Sequence, residues 1–86
     1  MVTIFRAEGL RFVIFVDDHA PAHVHVFGDG EAKINLTGSR EMPELVWADG
    51  MKRTDIRRAM RHVTANKSWF LKRWTEIHGR IDRRRD

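Results

Sequence analysis

The chain contains no cysteine. Disulfides, thiolate metal ligands and cysteine nucleophiles are therefore excluded. Proline occurs only twice, and each marks a break: Pro21 lies in the polar loop 17–22, and Pro43 precedes the last apolar stretch of the first half. No apolar run approaches the roughly 18 residues that would span a bilayer. The opening MVTIFRAEGLRF lacks the basic-then-apolar order of a signal peptide, so the expected location is cytoplasmic, with no membrane partner. Basic residues are scarce at the front: residues 1–50 hold four against eight acidic groups, a net of −4.

What is present balances these absences. The 86 residues are 42% hydrophobic and 33% charged, a globular composition. That length makes one small domain, which buries only about 60–65% of its unfolded surface. Residues 51–86 hold twelve basic and four acidic groups, a net of +8. An acidic half joined to a strongly basic half points to a polyanion or an acidic protein as partner.

The first half reads as β structure. Thr3–Arg6 is short and extended, Glu8-Gly9 marks a turn, and Arg11–Val16 is a continuous run typical of a central strand. His23–Phe27 and Glu31–Leu36 alternate in polarity around Gly28-Asp29-Gly30, a hairpin signal. A three-residue loop with Gly30 left-handed pairs Val26 with Ala32 and Val24 with Ile34 on one apolar face. His25 then faces Lys33, and His23 faces Asn35, on the polar face. Leu45–Ala48 reads as a further short strand between Pro43 and Gly50.

The second half reads as helix. Apolar residues at Ile56, Met60, Val63, Phe70, Trp74, Ile77 and Ile81 follow one stripe. The spacing predicts one long helix over 54–79, opened by Thr54 and closed by Gly79, and then a basic tail over 80–86. A break at Asn66 and Lys67, which interrupt the stripe, is the alternative. The expected fold is a single α+β domain, 1–86. Its antiparallel β-meander of four or five strands, residues 1–50, is packed by that C-terminal helix.

Two constellations carry chemistry. His19, His23 and His25 form the first, and the i, i+2 pair points one way from a strand. They are candidate ligands for a divalent metal, with Asp17 or Asp18 available to complete the set. Equally, His23 and His25 suit a general acid and base in metal-independent, ribonuclease-like chemistry, with Lys33 on the developing charge. The bland alternative is packing histidines that bond loop carbonyls, with no cofactor at all.

The second constellation is the polar face of the helix. Arg53, Arg57, Arg61 and Lys72 line one flank, and Arg58, His62, Trp69, Arg73 and Arg80 line the other. Trp69 projects away from the apolar stripe. Arg57, Arg58, Arg61, His62, Trp69 and Arg73 are thus the candidate surface for RNA or an acidic protein partner. A solvated basic face with Trp69 along arginine stems is the plain alternative. Arg57 and His62 also match the Arg-x4-His spacing of an all-helical ribonuclease class. The β-rich first half does not supply the helical bundle that class requires.

Several segments together resemble a known family. These are Thr3-Ile4-Phe5-Arg6, the segment from His19 to Val26 (HAPAHVHV), the segment from Gly30 to Ile34 (GEAKI), and a helix with Ile56-Arg57-Arg58-Ala59, Asn66, Trp74 and Gly79. The pattern is similar to the small bacterial family catalogued as domain of unknown function 4160. Ala22 stands where a second proline is usual, and Trp69 where a polar residue is typical. The resemblance implies a toxin–antitoxin-like component, with a cognate antitoxin as possible partner. The alternatives are a non-catalytic interaction or homodimerisation module and a histidine-rich metal-binding domain.

Overall fold

A computed structural model describes residues 1–83, with side chains through Gly79. Five strands run in chain order, β1 (Val2–Ala7), β2 (Leu10–Ile14), β3 (His23–Phe27), β4 (Glu31–Asn35) and β5 (Glu44–Asp49). Each pairs antiparallel with the next, so the sheet order is the sequence order. Two helices follow, α1 (Arg53–Ala65) and α2 (Lys67–Arg83).

The sheet sorts its residues by alternation. Phe12, Ile14, Val24, Val26, Ala32 and Ile34 turn to one face and are fully buried there with Leu36, Ala59, Val63 and Phe70. Each such large side chain contributes about 1.5–3 kcal/mol on burial, so this apolar layer holds helices to sheet. The opposite face is more polar. It carries Arg11 and Val13 on β2, His23, His25 and Phe27 on β3, and Glu31, Lys33 and Asn35 on β4. Val13 is fully buried even there, so β2 is enclosed on both faces, as its composition predicts. The strand ends at Ile14, however, and Val16 is exposed.

The β3–β4 register is the expected one: Val24↔Ile34, His25↔Lys33 and Val26↔Ala32. Gly30 serves a different purpose from the one expected. It is not left-handed; a Cβ there would fall 2.2 Å from the Asp49 carbonyl oxygen, so glycine lets β5 close over the hairpin. At the β1–β2 turn, Glu8 and Gly9 both have positive φ, 52° and 76°, as a tight two-residue hairpin requires.

The single long helix expected over 54–79 is corrected to two helices. Asn66 leaves the helical conformation at φ −116°, ψ 22°, and its amide Nδ2 donates to the His62 carbonyl. The Asn66 N–H bonds the same carbonyl, so Asn66 caps the C-terminus of α1 with both amides. Phe70 N–H then bonds the Asn66 carbonyl and starts α2, so the apolar stripe stays in phase. Lys52, not Thr54, precedes the first turn, without a side-chain cap. The helix also runs past Gly79 to Arg83. The basic tail expected over 80–86 lies outside the residues whose side chains are described.

Candidate functional site

The polar loop after β2 folds back under the start of β3. Asp18 is anchored by accepting the Phe15 N–H, at 3.3 Å. This carries its carboxylate to the two histidines of β3. Oδ2 lies 3.0 Å from His23 Nε2 and 3.7 Å from His25 Nε2. His23 Nδ1 donates to the Pro21 carbonyl at 2.8 Å, and His25 Nδ1 to Glu31 Oε2 at 3.1 Å.

His23 is only 3% exposed, and His25 is half-buried. The Trp74 ring of α2 stands 5.1 Å from the His23 ring, and Trp47 and Phe15 stand 6.1 and 4.6 Å from His25. Burial lowers the pKa of His23, because the charged ring loses water; the bond to Pro21 and the Asp18 charge oppose this, while Lys33 and His25 add to it.

Of the histidines singled out from the sequence, His23 and His25 meet and His19 does not join them. His19 is exposed, and Asp18 takes the third place. Lys33 pairs with His25 across the ladder, so it shares their face. The pair does not form an exposed acid–base couple, because His23 is covered and its Nδ1 is committed.

The basic surface is organised by a residue the sequence reading passed over. Glu8, at the β1–β2 turn, accepts from His62 Nε2 at 2.5 Å and from Arg61 Nη2 at 3.1 Å, with Arg58 Nε at 3.7 Å. The bond from His62 chiefly holds the Glu8 carboxyl below its ordinary value, assisted by Arg61 and Arg58. Arg58 and Arg61 were expected on separate flanks, yet both reach this one carboxylate. On the same hairpin Arg6 lies directly opposite Arg11. Neither has a carboxylate partner among the described residues. A cleft of about 400 Å³ is lined by Arg6, Ala7, Glu8, Gly9, Leu10 and Arg11.

The remaining candidates lie on the helices. Arg57 is exposed and has no acidic partner among the described residues. Trp69 is 45% exposed, with the Arg73 guanidinium 5.9 Å from its ring centre. Arg73 also bonds Glu76 at 2.7 Å.

Three missed residues had a signal. A hairpin turning at Glu8-Gly9 places Arg6 opposite Arg11, and alternation along β4 places Glu31 beside His25. The meeting of Glu8 with α1 had none, since more than fifty residues separate them.

A family model described as a domain of unknown function (DUF4160) matches residues 9–75, and the chain belongs to that family. No curated protein and no solved structure matches the chain. No helix of the described residues is long and apolar enough to cross a membrane.

Proposed function

We propose that this member of the DUF4160 family engages RNA or another polyanion, as a toxin–antitoxin-like component, through the basic end of the molecule. One observation carries the reading. Arg6 and Arg11 stand face to face across β1 and β2, and α1 brings Arg58, Arg61 and His62 to the same hairpin turn. Like charges directly opposite each other on a sheet are destabilising. Glu8 and Asp55 are the carboxylates that meet this group among the described residues. A phosphate backbone supplies the missing negative charge, and the cleft beside Arg6 and Arg11 gives it a seat. Arg57, Arg73 and the exposed Trp69 extend the surface along the helices, where an aromatic ring suits base stacking.

The test is binding of a fluorescent single-stranded RNA by anisotropy across a salt series. Affinity should fall steeply with salt, and Arg6→Ser with Arg11→Ser should weaken binding about tenfold and flatten the slope by about one unit per lost phosphate contact. Binding without salt dependence, or no binding at low salt, defeats the reading.

A second reading, an interaction or homodimerisation module, is favoured by β5. Every residue of this edge strand is exposed, including Leu45, Val46 and Trp47. An open apolar edge is a template for pairing with another strand. A concentration-dependent dimer by sedimentation that Val46→Lys dissolves would support it, and a monomer at high concentration would remove it.

A further inference from the structure

We infer that Asp18, His23 and His25 form a binding site for a divalent transition-metal ion of the zinc class, independent of the polyanion surface. The argument starts from hydrogen positions. A carbonyl and a carboxylate oxygen can only accept, so the Nδ1 atoms facing Pro21 O and Glu31 Oε2 carry the hydrogens. In an uncharged ring this leaves a lone pair on Nε2, and both Nε2 atoms turn toward Asp18 Oδ2. In that state three acceptors converge, with the Phe15 N–H directed at Oδ2 from the backbone. Such a meeting is repulsive unless a cation occupies it.

The surroundings match what metal sites require. A metal-bound histidine donates its other ring nitrogen to a carbonyl or carboxylate, which fixes its tautomer and sharpens its basicity. Both histidines do this here. Bonds of about 2.1 Å in a tetrahedral site separate ligand atoms by about 3.4 Å. The Asp18–His23 and Asp18–His25 distances of 3.0 and 3.7 Å bracket that value. The ligand atoms of all three residues lie within 4.8 Å of one another. Two imidazoles and one carboxylate suit zinc, nickel, copper or cobalt, and they poorly suit calcium or magnesium, which prefer oxygen. A proton is the competing occupant, and the metal titration decides between them.

The ligands also come from separate pieces of chain. Asp18 lies in the loop after β2, the histidines lie on β3, and Trp74 of α2 packs on His23. A bound ion would tie loop, sheet and helix together at one end of the core, so binding should raise the thermal midpoint by several degrees.

The experiment uses the full chain, stripped with a chelator and dialysed. Zn²⁺ is followed by calorimetry and Co²⁺ by visible absorption. The expected result is one equivalent bound, with a change in tryptophan emission. Asp18→Asn and His25→Gln should each weaken binding at least tenfold, and Glu31→Ala about tenfold through loss of the outer hydrogen bond. His19→Ala should leave binding unchanged. Circular dichroism reports folding, and if His25→Gln unfolds, the isosteric Asp18→Asn decides alone. No saturable uptake, uptake that survives Asp18→Asn, or loss on His19→Ala overturns the assignment.

Discussion

Two clusters in this molecule are built from the same parts and behave differently. Asp18 with His23 and His25, and Glu8 with His62, Arg61 and Arg58, each join a loop or turn carboxylate to ring nitrogens. At Glu8 the groups are solvent-accessible, the arginines can only donate, and His62 Nε2 lies at hydrogen-bond distance. The result is an ion-pair clamp between a hairpin and a helix. At Asp18 both Nδ1 hydrogens are spent elsewhere and His23 is sealed from water. The same residue types then present lone pairs to a carboxylate. What a histidine–carboxylate pair becomes is decided by the partner on the other ring nitrogen and by burial.

The contrast can be broken most strongly at His23. His23→Ala removes a buried ring packed on Trp74 and leaves the Pro21 carbonyl without its donor. It should cost about 2–4 kcal/mol in denaturant unfolding, as a cavity and a lost buried hydrogen bond together do. Arg61→Ala, at an exposed position, should leave the unfolding midpoint nearly unchanged. Equal losses at the two sites would erase the distinction.

Glu8→Gln probes the clamp from its centre. It releases Arg58 and Arg61 from their counter-charge, so affinity for single-stranded RNA should rise a few-fold at low salt and the gain should vanish at high salt. Reduced binding in this variant would mean that Glu8 positions the arginines more than it neutralises them.

The smallest effect is in acid. The Glu8 carboxyl is held below its ordinary 4.5 by the His62 hydrogen bond and then by the arginines. A depressed folded-state value adds stability that is full above 4.5 and fades as pH falls through the lowered value. The wild type should therefore lose a small increment of stability below pH 4.5 that Glu8→Gln lacks, read as converging thermal midpoints. An identical acid dependence in both proteins would show that Glu8 is not linked to folding.

Much of the fold was legible because alternation is local. The i, i+2 pattern in HVHVF and EAKIN assigned the β3–β4 register, since a one-residue slip would put His25 among the core valines. The helical stripe placed Val63 and Phe70 against the sheet for the same reason. The break at Asn66 is hidden from spacing, because the apolar stripe keeps its phase across it. It lies in the backbone of one residue, at φ −116° and ψ 22°, where both amides of Asn66 bond the His62 carbonyl.

The candidate sites were legible in part. His23 and His25 were visible as a pair, but the identity of their companion was not. His19 stands closer in sequence to His23 than Asp18 does, yet the loop turns Asp18 inward and leaves His19 in solvent. The basic helix was equally plain, while its tether to Glu8 was invisible.

The sequence by itself determined a cysteine-free α+β domain with an acidic meander, a basic helical half and two histidines on one strand face. Periodicity and composition act over a few residues, so they survive without a structure. Folding of the whole chain set which carboxylate meets which cation, which ring nitrogens face Asp18, and that Arg6 and Arg11 share an end of the molecule with Arg58 and Arg61. Those outcomes depend on how distant segments close on one another. Burial then assigns each encounter its chemistry: a clamp in water at Glu8, a ligand set beneath Trp74 at Asp18.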